Sequence, residues 1–182
     1  YFGLPVLYTN QSPIAEYAKN KKEYFINGFE NHAAVGAKIS FKYPYDAKYK
    51  AGGNKSLTDG LHGSENSLLY WQGWMDKDLI ATIDLGKSQG ISFVSINFLV
   101  HNSNQPPRKI RFKYRTDGKR FFQLNAKETE VRKKKGTGTY TIFTFLTPDI
   151  IREVPIARYV RVTVKDNPKR NSWLLADEIA VK

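Results

Sequence analysis

The sequence has no cysteine, which excludes a disulfide frame, a thiolate metal site and a thiol nucleophile. That absence leaves the redox compartment open. Long apolar runs are lacking too, and no stretch approaches the roughly 20 apolar residues of a membrane span. Catalytic signatures are missing: there is no HExxH pair, no G-x-S-x-G elbow, no phosphate loop and no dinucleotide fingerprint. His32, His62 and His101 fall in separate predicted loops with no paired motif around them. Acidic residues are scattered, and Asp76 and Asp78 read as polar groups of a turn. Nothing favours catalysis, so the chain is expected to be non-catalytic. It opens on YFGLPVLYTN, without an initiator Met or a signal peptide, and reads as a piece of a longer protein.

Acidic charge is the scarce sign. Twenty-nine Lys and Arg face seventeen Asp and Glu, a net charge of +12. Such an excess favours anionic partners: nucleic acid, acidic glycan or anionic membrane. Local concentrations occur at 19–22 (KNKK), 132–135 (RKKK) and 165–170 (KDNPKR), but much of the charge is spread singly along strand-like segments. Across 182 residues, a 41% hydrophobic share with eleven Tyr and eleven Phe suffices for a substantial core. The length fits one domain, or one domain with an extension.

Periodicity is that of strands almost throughout. In RKIRFKYR, Ile110, Phe112 and Tyr114 share one face and Arg111, Lys113 and Arg115 the other. SFVSINFLV groups Val94, Ile96, Phe98 and Val100; YVRVTV groups Val160, Val162 and Val164. AKISFKY, DLIATIDL, TYTIFTFL and WLLADEIAVK are further strand candidates, and TDGKRF at 116–121 carries the Asp-Gly turn of a hairpin. Eight or nine short strands between Gly, Pro and Asn turns predict an all-β antiparallel sandwich or jelly roll. The one helix-like stretch is SPIAEYAKNKKEYFIN, with Ser12 as N-cap and Pro13 at the first helical position. A soft boundary near Asn31–Ala34 separates residues 1–33, a connector or the tail of a neighbouring domain, from the sandwich at 34–182.

Two constellations carry chemistry. The first is the turn TDGLHGS at 58–64. A surface turn needs Asp59-Gly60 and nothing more, since Asp bonds its own backbone and Gly accepts positive φ. The same turn also suits Ca²⁺, which takes six to eight oxygens from carboxylates, carbonyls and hydroxyls. Asp59 offers a carboxylate and Ser64 a hydroxyl; Glu178 is the candidate second carboxylate. Strict alternation places Ala176, Glu178 and Ala180 on one face and Leu175, Asp177, Ile179 and Val181 on the other. Glu178 then reads either as a ligand between small residues or as an exposed group on an edge strand. The second constellation is a set of loop residues. Trp71 and Trp74 read as core plugs rather than platforms, whereas Trp173, after Arg170, Asn171 and Ser172, fits either role. HNSNQPP at 101–107 adds His101, Asn102 and Asn104. A rim of His, Asn and Arg beside an indole suits sugars, whose hydroxyls need polar clamps and whose C–H face stacks on the ring.

The order LTDGLHGSENSLLYWQGW, LIATIDLGKSQGISFVSINFLV, PPRKIRFKYRTDGKRF, ARYVRVTVKDNPKRNSWLLADEIAVK resembles the F5/8 type C (discoidin-like) domain, which includes the family 32 carbohydrate-binding modules. It is similar to the copies attached to β-N-acetylhexosaminidase-like glycoside hydrolases of Bacteroidetes. The resemblance covers about residues 34–182 and implies a structural Ca²⁺. Its ligands would be the Ser56 carbonyl, the Asp59 carboxylate, the Leu61 carbonyl, Ser64, the Asp177 carbonyl and Glu178. It also implies a sugar site in loops 101–107 and 166–173, formed by His101, Asn102, Asn104, Arg170, Asn171 and Trp173. HNSNQPPR departs from the fixed His and Arg pattern of galactose-binding relatives. The expected function is a non-catalytic module that binds carbohydrate, possibly acidic, and targets a larger glycoside hydrolase to its glycan. The alternatives are a structural or protein-interaction appendage without a sugar site, or anionic polysaccharide bound by the basic patches. No nucleic acid partner and no membrane span are expected; an extracytoplasmic location and a monomeric isolated domain are.

Overall fold

The computed structural model describes residues 30–63, 68–101, 106–107, 109–124, 130–135, 140–147, 154–165 and 173–182. The helix-like stretch from Ser12 to Asn27 lies outside them. Ten strands run in chain order: β1 (Lys38–Phe41), β2 (Gln72–Met75), β3 (Leu79–Gly90), β4 (Val94–His101), β5 (Lys109–Arg115), β6 (Phe122–Gln123), β7 (Glu130–Lys135), β8 (Tyr140–Leu146), β9 (Ile156–Lys165) and β10 (Trp173–Val181). The only helical element among the described residues is a single 3-10 turn at Ala47–Tyr49, whose first turn is capped by the Asp46 side chain.

The strands form two five-stranded antiparallel sheets. The first has the order β1-β3-β9-β5-β6 and the second β2-β10-β4-β8-β7. Between them lies the main core, in which the Leu79, Ala81 and Ile83 row of β3 and the Val160, Val162 and Val164 row of β9 meet Ile96, Phe98, Phe145 and Ile179 from the other sheet. The predicted alternation of β4, β5 and β9 is therefore the real packing pattern. The Asp-Gly turn joins β5 to β6 with Lys113 opposite Gln123 and Tyr114 opposite Phe122. The RKKK run at 132–135, noted from sequence only as a charge cluster, forms most of β7 at the edge of the second sheet.

Register slips between Asp84 and Gln89 of β3 and, closer to the site, in β10. The register of β10 against β4 shifts between Ala176 and Ile179. Because a bulge opposes extra residues to a shorter partner, Ala176 and Ile179 both reach the main core. Strict alternation had put those two on opposite faces; the bulge corrects that. It also corrects the exposed-edge reading of Glu178, because β10 is interior to its sheet and both Asp177 and Glu178 are only 1% exposed.

The second sheet carries a further apolar layer on its outward side. Trp71, Leu99, Ile142 and Leu175 cluster there, flanked by Tyr49, Leu68 and Trp173. Trp71 and Trp74 are both fully buried, as core plugs should be, but in different layers: Trp74 belongs to the main core and Trp71 to the outer one.

Candidate functional site: a buried carboxylate cluster and a loop-bearing end

The segment 52–63 is stitched onto β10 and onto residues 30–37 by main-chain bonds. Ile179 N–H donates to the Leu57 carbonyl (2.9 Å), Gly36 N–H to Thr58 (2.7 Å) and Glu30 N–H to Gly60 (2.9 Å). Gly60, at φ 77°, takes the left-handed conformation that lets the turn fold over the strand. The Asp59 carboxylate accepts from Leu61 N–H at 3.0 Å, so the side chain does hold its own turn. It also does more. Asp59 N–H donates to Glu178 Oε2 at 3.2 Å across 119 positions of sequence. The pairing expected of Asp59 and Glu178 is thus present in the fold.

Around this pair several polar atoms lack an aligned partner. Ser56 Oγ and Glu178 Oε1 are buried without a hydrogen bond. Gly52 lies beside them: a Cβ there would sit 3.3 Å from Ser56 Oγ and 3.6 Å from Asp59 Oδ2. The missing side chain leaves a small space lined by a hydroxyl and a carboxylate oxygen. His32 stands on the other side. Ala34 N–H donates to His32 Nδ1 at 3.2 Å, which leaves the ring proton of the neutral form on Nε2. That nitrogen is 3.0 Å from Glu178 Oε1, yet the two are not aligned for a hydrogen bond.

The electrostatics follow from burial. Burial first, and then the charge of Asp177, pushes the Asp59 carboxyl up to about 7. Glu178 is raised well above its ordinary range by burial, then by Asp59 and Asp177. Burial holds His32 down at about 4, so it supplies no compensating charge at neutral pH. Two adjacent buried carboxylates without a cation destabilise their ionised forms.

A second polar chain branches from Asp177. Its Oδ2 accepts from Gly63 N–H at 3.0 Å and from Asn97 at 3.4 Å. His62 lies between Asp177 and Glu30, with Nε2 3.0 Å from Glu30 Oε2 and Nδ1 3.1 Å from Asn97 Nδ2. The bond to Asp177 leads the forces that raise His62, and burial opposes it. Burial also opposes ionisation of Glu30, but Lys182 and His62 together lower it. Thr144 Oγ1 closes the network by donating to Asn97 Oδ1 at 2.6 Å. Glu30, His32, His62 and Asn97 were not singled out as site residues from sequence. Three-dimensional pairing alone assembles them, and no spacing in the chain announces it.

Of the expected metal ligands, Ser56, Asp59, Leu61, Asp177 and Glu178 are buried together here; Ser64 lies outside the described residues. The structure also brings forward the Ser56 hydroxyl, where the expectation had been its carbonyl. Of the expected sugar contacts, Asn102, Asn104, Arg170 and Asn171 lie outside the described residues, and of His101 only its place at the end of β4 is described. Trp173 is described. It opens β10, half-buried against Tyr49, with ring centroids 4.7 Å apart at 88°. The Lys48 ammonium lies 5.7 Å from its ring centre.

Topology brings the end of β4 beside the start of β10. Leu175 pairs with Leu99, and continuing that register by two residues sets Trp173 level with His101. His101 in turn pairs with Tyr140 on β8. The end of β4 and the start of β10 therefore lie side by side at one end of the second sheet.

A family model for the F5/8 type C domain matches residues 38–179. The chain belongs to that family. The match begins at β1 and ends inside β10, so this F5/8 type C domain contains both sheets, the 52–63 turn and Glu178. Among solved structures, it is similar to carbohydrate-binding module 32-1 from a family 31 glycoside hydrolase of Clostridium perfringens, with 16% identity and a TM-score of 0.51 over 84% of this chain and 97% of that one. Chitosan-binding module 1 from a chitosanase/glucanase of Paenibacillus sp. IK-5 is similar at 15% identity and a TM-score of 0.50, covering 84% and 99%. These likenesses show the shared fold. No curated protein matches the sequence.

Proposed function

We propose that this F5/8 type C domain is a non-catalytic carbohydrate-binding module that holds a larger glycoside hydrolase, of β-hexosaminidase type, on its glycan outside the cytoplasm. The observation that carries the reading is the end of the second sheet. There Trp173, stiffened by Tyr49, opens β10 level with the end of β4 at His101. An indole fixed at its edge by a T-shaped neighbour loses little entropy when a pyranose stacks on it, and polar loops can clamp the hydroxyls. Function carried on loops above a rigid sheet is the usual division of labour.

A structural Ca²⁺ belongs to the same reading. The residues fit an oxygen-rich cation: buried Asp59 and Glu178, an unpartnered Ser56 hydroxyl and the space left by Gly52. Among the described residues no three carboxylate or imidazole groups converge as a metal cluster, so main-chain and hydroxyl oxygens must complete the shell, as Ca²⁺ allows. When bound, the ion neutralises Asp59 and Glu178 and fastens the 52–63 turn to β10. The side-chain oxygens of Asp177 are already engaged, Oδ2 by Gly63 and Asn97 and Oδ1 by Glu178 N–H, which leaves its carbonyl to serve.

The test is binding of the isolated chain to an array of neutral and acidic glycans at low and high salt. The reading expects a neutral glycan to bind with little dependence on salt, and Trp173→Ala to lose it while keeping the fold. A folded wild-type chain that binds no glycan overturns it and leaves a structural appendage.

A further inference from the structure

The outward face of the first sheet is open and basic. From β5 it presents Lys109, Arg111, Lys113 and Arg115, which alternate with the core residues Ile110 and Phe112. From β9 it presents Arg161, between core residues Val160 and Val162. The register sets Lys113 directly opposite Arg161, and Lys109 opposite Lys165. Like charges facing each other across strands destabilise a sheet, so stability does not account for this arrangement. Carboxylates compensate only the margins: Arg158 is paired with Asp84 at 2.9 Å and Lys165 with Asp78. Among the described residues, Arg111, Lys113, Arg115 and Arg161 have no carboxylate within 4.0 Å.

Aromatic rings hold two of these guanidinium groups in place. Arg161 lies 3.9 Å and Arg115 4.9 Å from the Phe121 ring centre, and Arg115 lies 4.3 Å from that of Tyr159. Thr82 Oγ1 accepts from Arg161 Nε at 2.9 Å. Arg115 Nε is buried without a partner. Burial, followed by the charge of Arg115, lowers the Arg161 guanidinium. Two like cations are thus fixed side by side, pre-organised by stacking and lacking a counter-charge.

We propose that this sheet face is a second binding surface, separate from the loop end, for an acidic polysaccharide bearing sulfate or uronate groups. Guanidinium forks match carboxylate and sulfate oxygens, and a flat sheet with cations on neighbouring strands suits an extended polyanion. The rings argue against a nucleic acid. Single-strand binders offer bare aromatic faces for bases to stack on, whereas Phe121 and Tyr159 are covered by Arg115 and Arg161. This face reads charge and not bases. The proposal rests on the carbohydrate-binding reading for its class of ligand, though not for its site.

The test is affinity electrophoresis of the whole chain through gels containing heparin, polygalacturonate or a neutral galactan, at about 50 and 200 mM salt, with oligo(dT) titrated alongside. Retardation by the two acidic polymers should fall steeply with salt. Arg111→Ser with Lys113→Ser should weaken it about tenfold, the upper range for two exposed ion pairs. Lys50→Ser with Lys55→Ser, which removes the same charge elsewhere, should change it little. Equal losses from both pairs would show only net charge at work and overturn the proposal, as would tighter binding of oligo(dT) than of either acidic polymer. Neutral binding that survives while acidic polymers show no preference sinks the sheet-face site alone. Acidic binding that depends on Arg111 and Lys113, with no neutral binding, sinks the loop-end reading alone.

Discussion

Each five-stranded sheet turns one face away from the shared core, and the two faces have been used in opposite ways. The second sheet's outer face is covered: Trp71, Leu68 and Tyr49 are laid over Leu99, Ile142 and Leu175, and the 52–63 turn is bonded to β10 beside them. Among the described residues the first sheet's outer face carries no such layer and is lined with Arg and Lys. Cover excludes water, which is why Asp59 and Glu178 are driven upward there, whereas the guanidinium groups opposite stay charged in reach of solvent. On the proposed readings a cation belongs under the cover and an anion on the open face, two electrostatic sites of opposite sign separated by the core.

The comparison breaks hardest where the cover is anchored. Trp71 is fully buried, and a Cβ on Gly63 would fall 2.5 Å from Trp71 Cε2. Trp71→Ala should cost about 3–5 kcal/mol in urea unfolding, and Gly63→Ala roughly 1–3 kcal/mol as overpacking against a rigid indole. Thr163→Ala, on the open face, should stay within about 0.5 kcal/mol. Equal costs on both faces would mean that the outer layer is not a second core.

Next in size is the metal. A ligand held at about one hundred times its Kd adds roughly 2.7 kcal/mol to stability, or about 5–10 °C in Tm for a chain of this length. Chelation should lower Tm by that amount in wild type, and Asp59→Ala should abolish the difference. If elemental analysis finds no Ca²⁺ and chelator leaves the curve unchanged, the Ca²⁺ reading fails, and the carboxylates under the cover are a polar network only.

How much of this was readable in the chain depends on whether a feature is periodic. β3, β4, β5, β8 and β9 were legible because one side of each must be apolar, as in Ile110, Phe112 and Tyr114. β2 and β7 were not, since QGWM is too short to show a period and RKKK carries no apolar face. The bulge in β10 was equally invisible: ADEIA alternates well enough as written, and only pairing with β4 reveals the slip. The Asp59 and Glu178 partnership was suggested by the oxygen ligands Ca²⁺ requires and then by the family resemblance, because no spacing links residues 119 positions apart. His32 and Glu30 lay in a segment without alternation, and their roles arise from contacts with Glu178 and His62.

A smaller effect sharpens the contrast between loop end and sheet face. Trp173→Ala removes a half-buried ring whose main neighbour is Tyr49. Neutral-glycan binding should weaken by roughly 1–3 kcal/mol, by analogy with stacking of bases on aromatic rings, measured by isothermal titration. Acidic-polymer retention on the other face should be unchanged. A variant that unfolds instead would assign Trp173 to the outer apolar layer.

The smallest effect tests the paired margin of the open face. Arg158 holds Asp84 with both prongs, Nε to Oδ1 at 2.9 Å and a terminal nitrogen to Oδ2 at 3.1 Å. Asp84 Oδ1 also accepts from Gly86 N–H at 2.9 Å, at the slip in the register of β3 where Gly86 takes φ 80°. The Arg158 hydrogen bond, with help from Gly86, lowers the Asp84 carboxyl below its ordinary 3.8. A depressed folded pKa contributes stability above the unfolded value, and that contribution is lost as pH falls through the folded one. Asp84→Asn keeps the oxygen that faces Gly86 and removes the charge together with the Oδ2 acceptor of Arg158. Its Tm should therefore lie slightly below wild type at pH 7 and low salt, and the gap should narrow as pH falls through the lowered Asp84 value and the wild-type carboxyl is itself protonated. Salt should narrow it at neutral pH, because the pair is solvent-exposed. A gap that persists unchanged in acid would mean that the substitution acts through the slip in β3 at Gly86 and not through the ion pair.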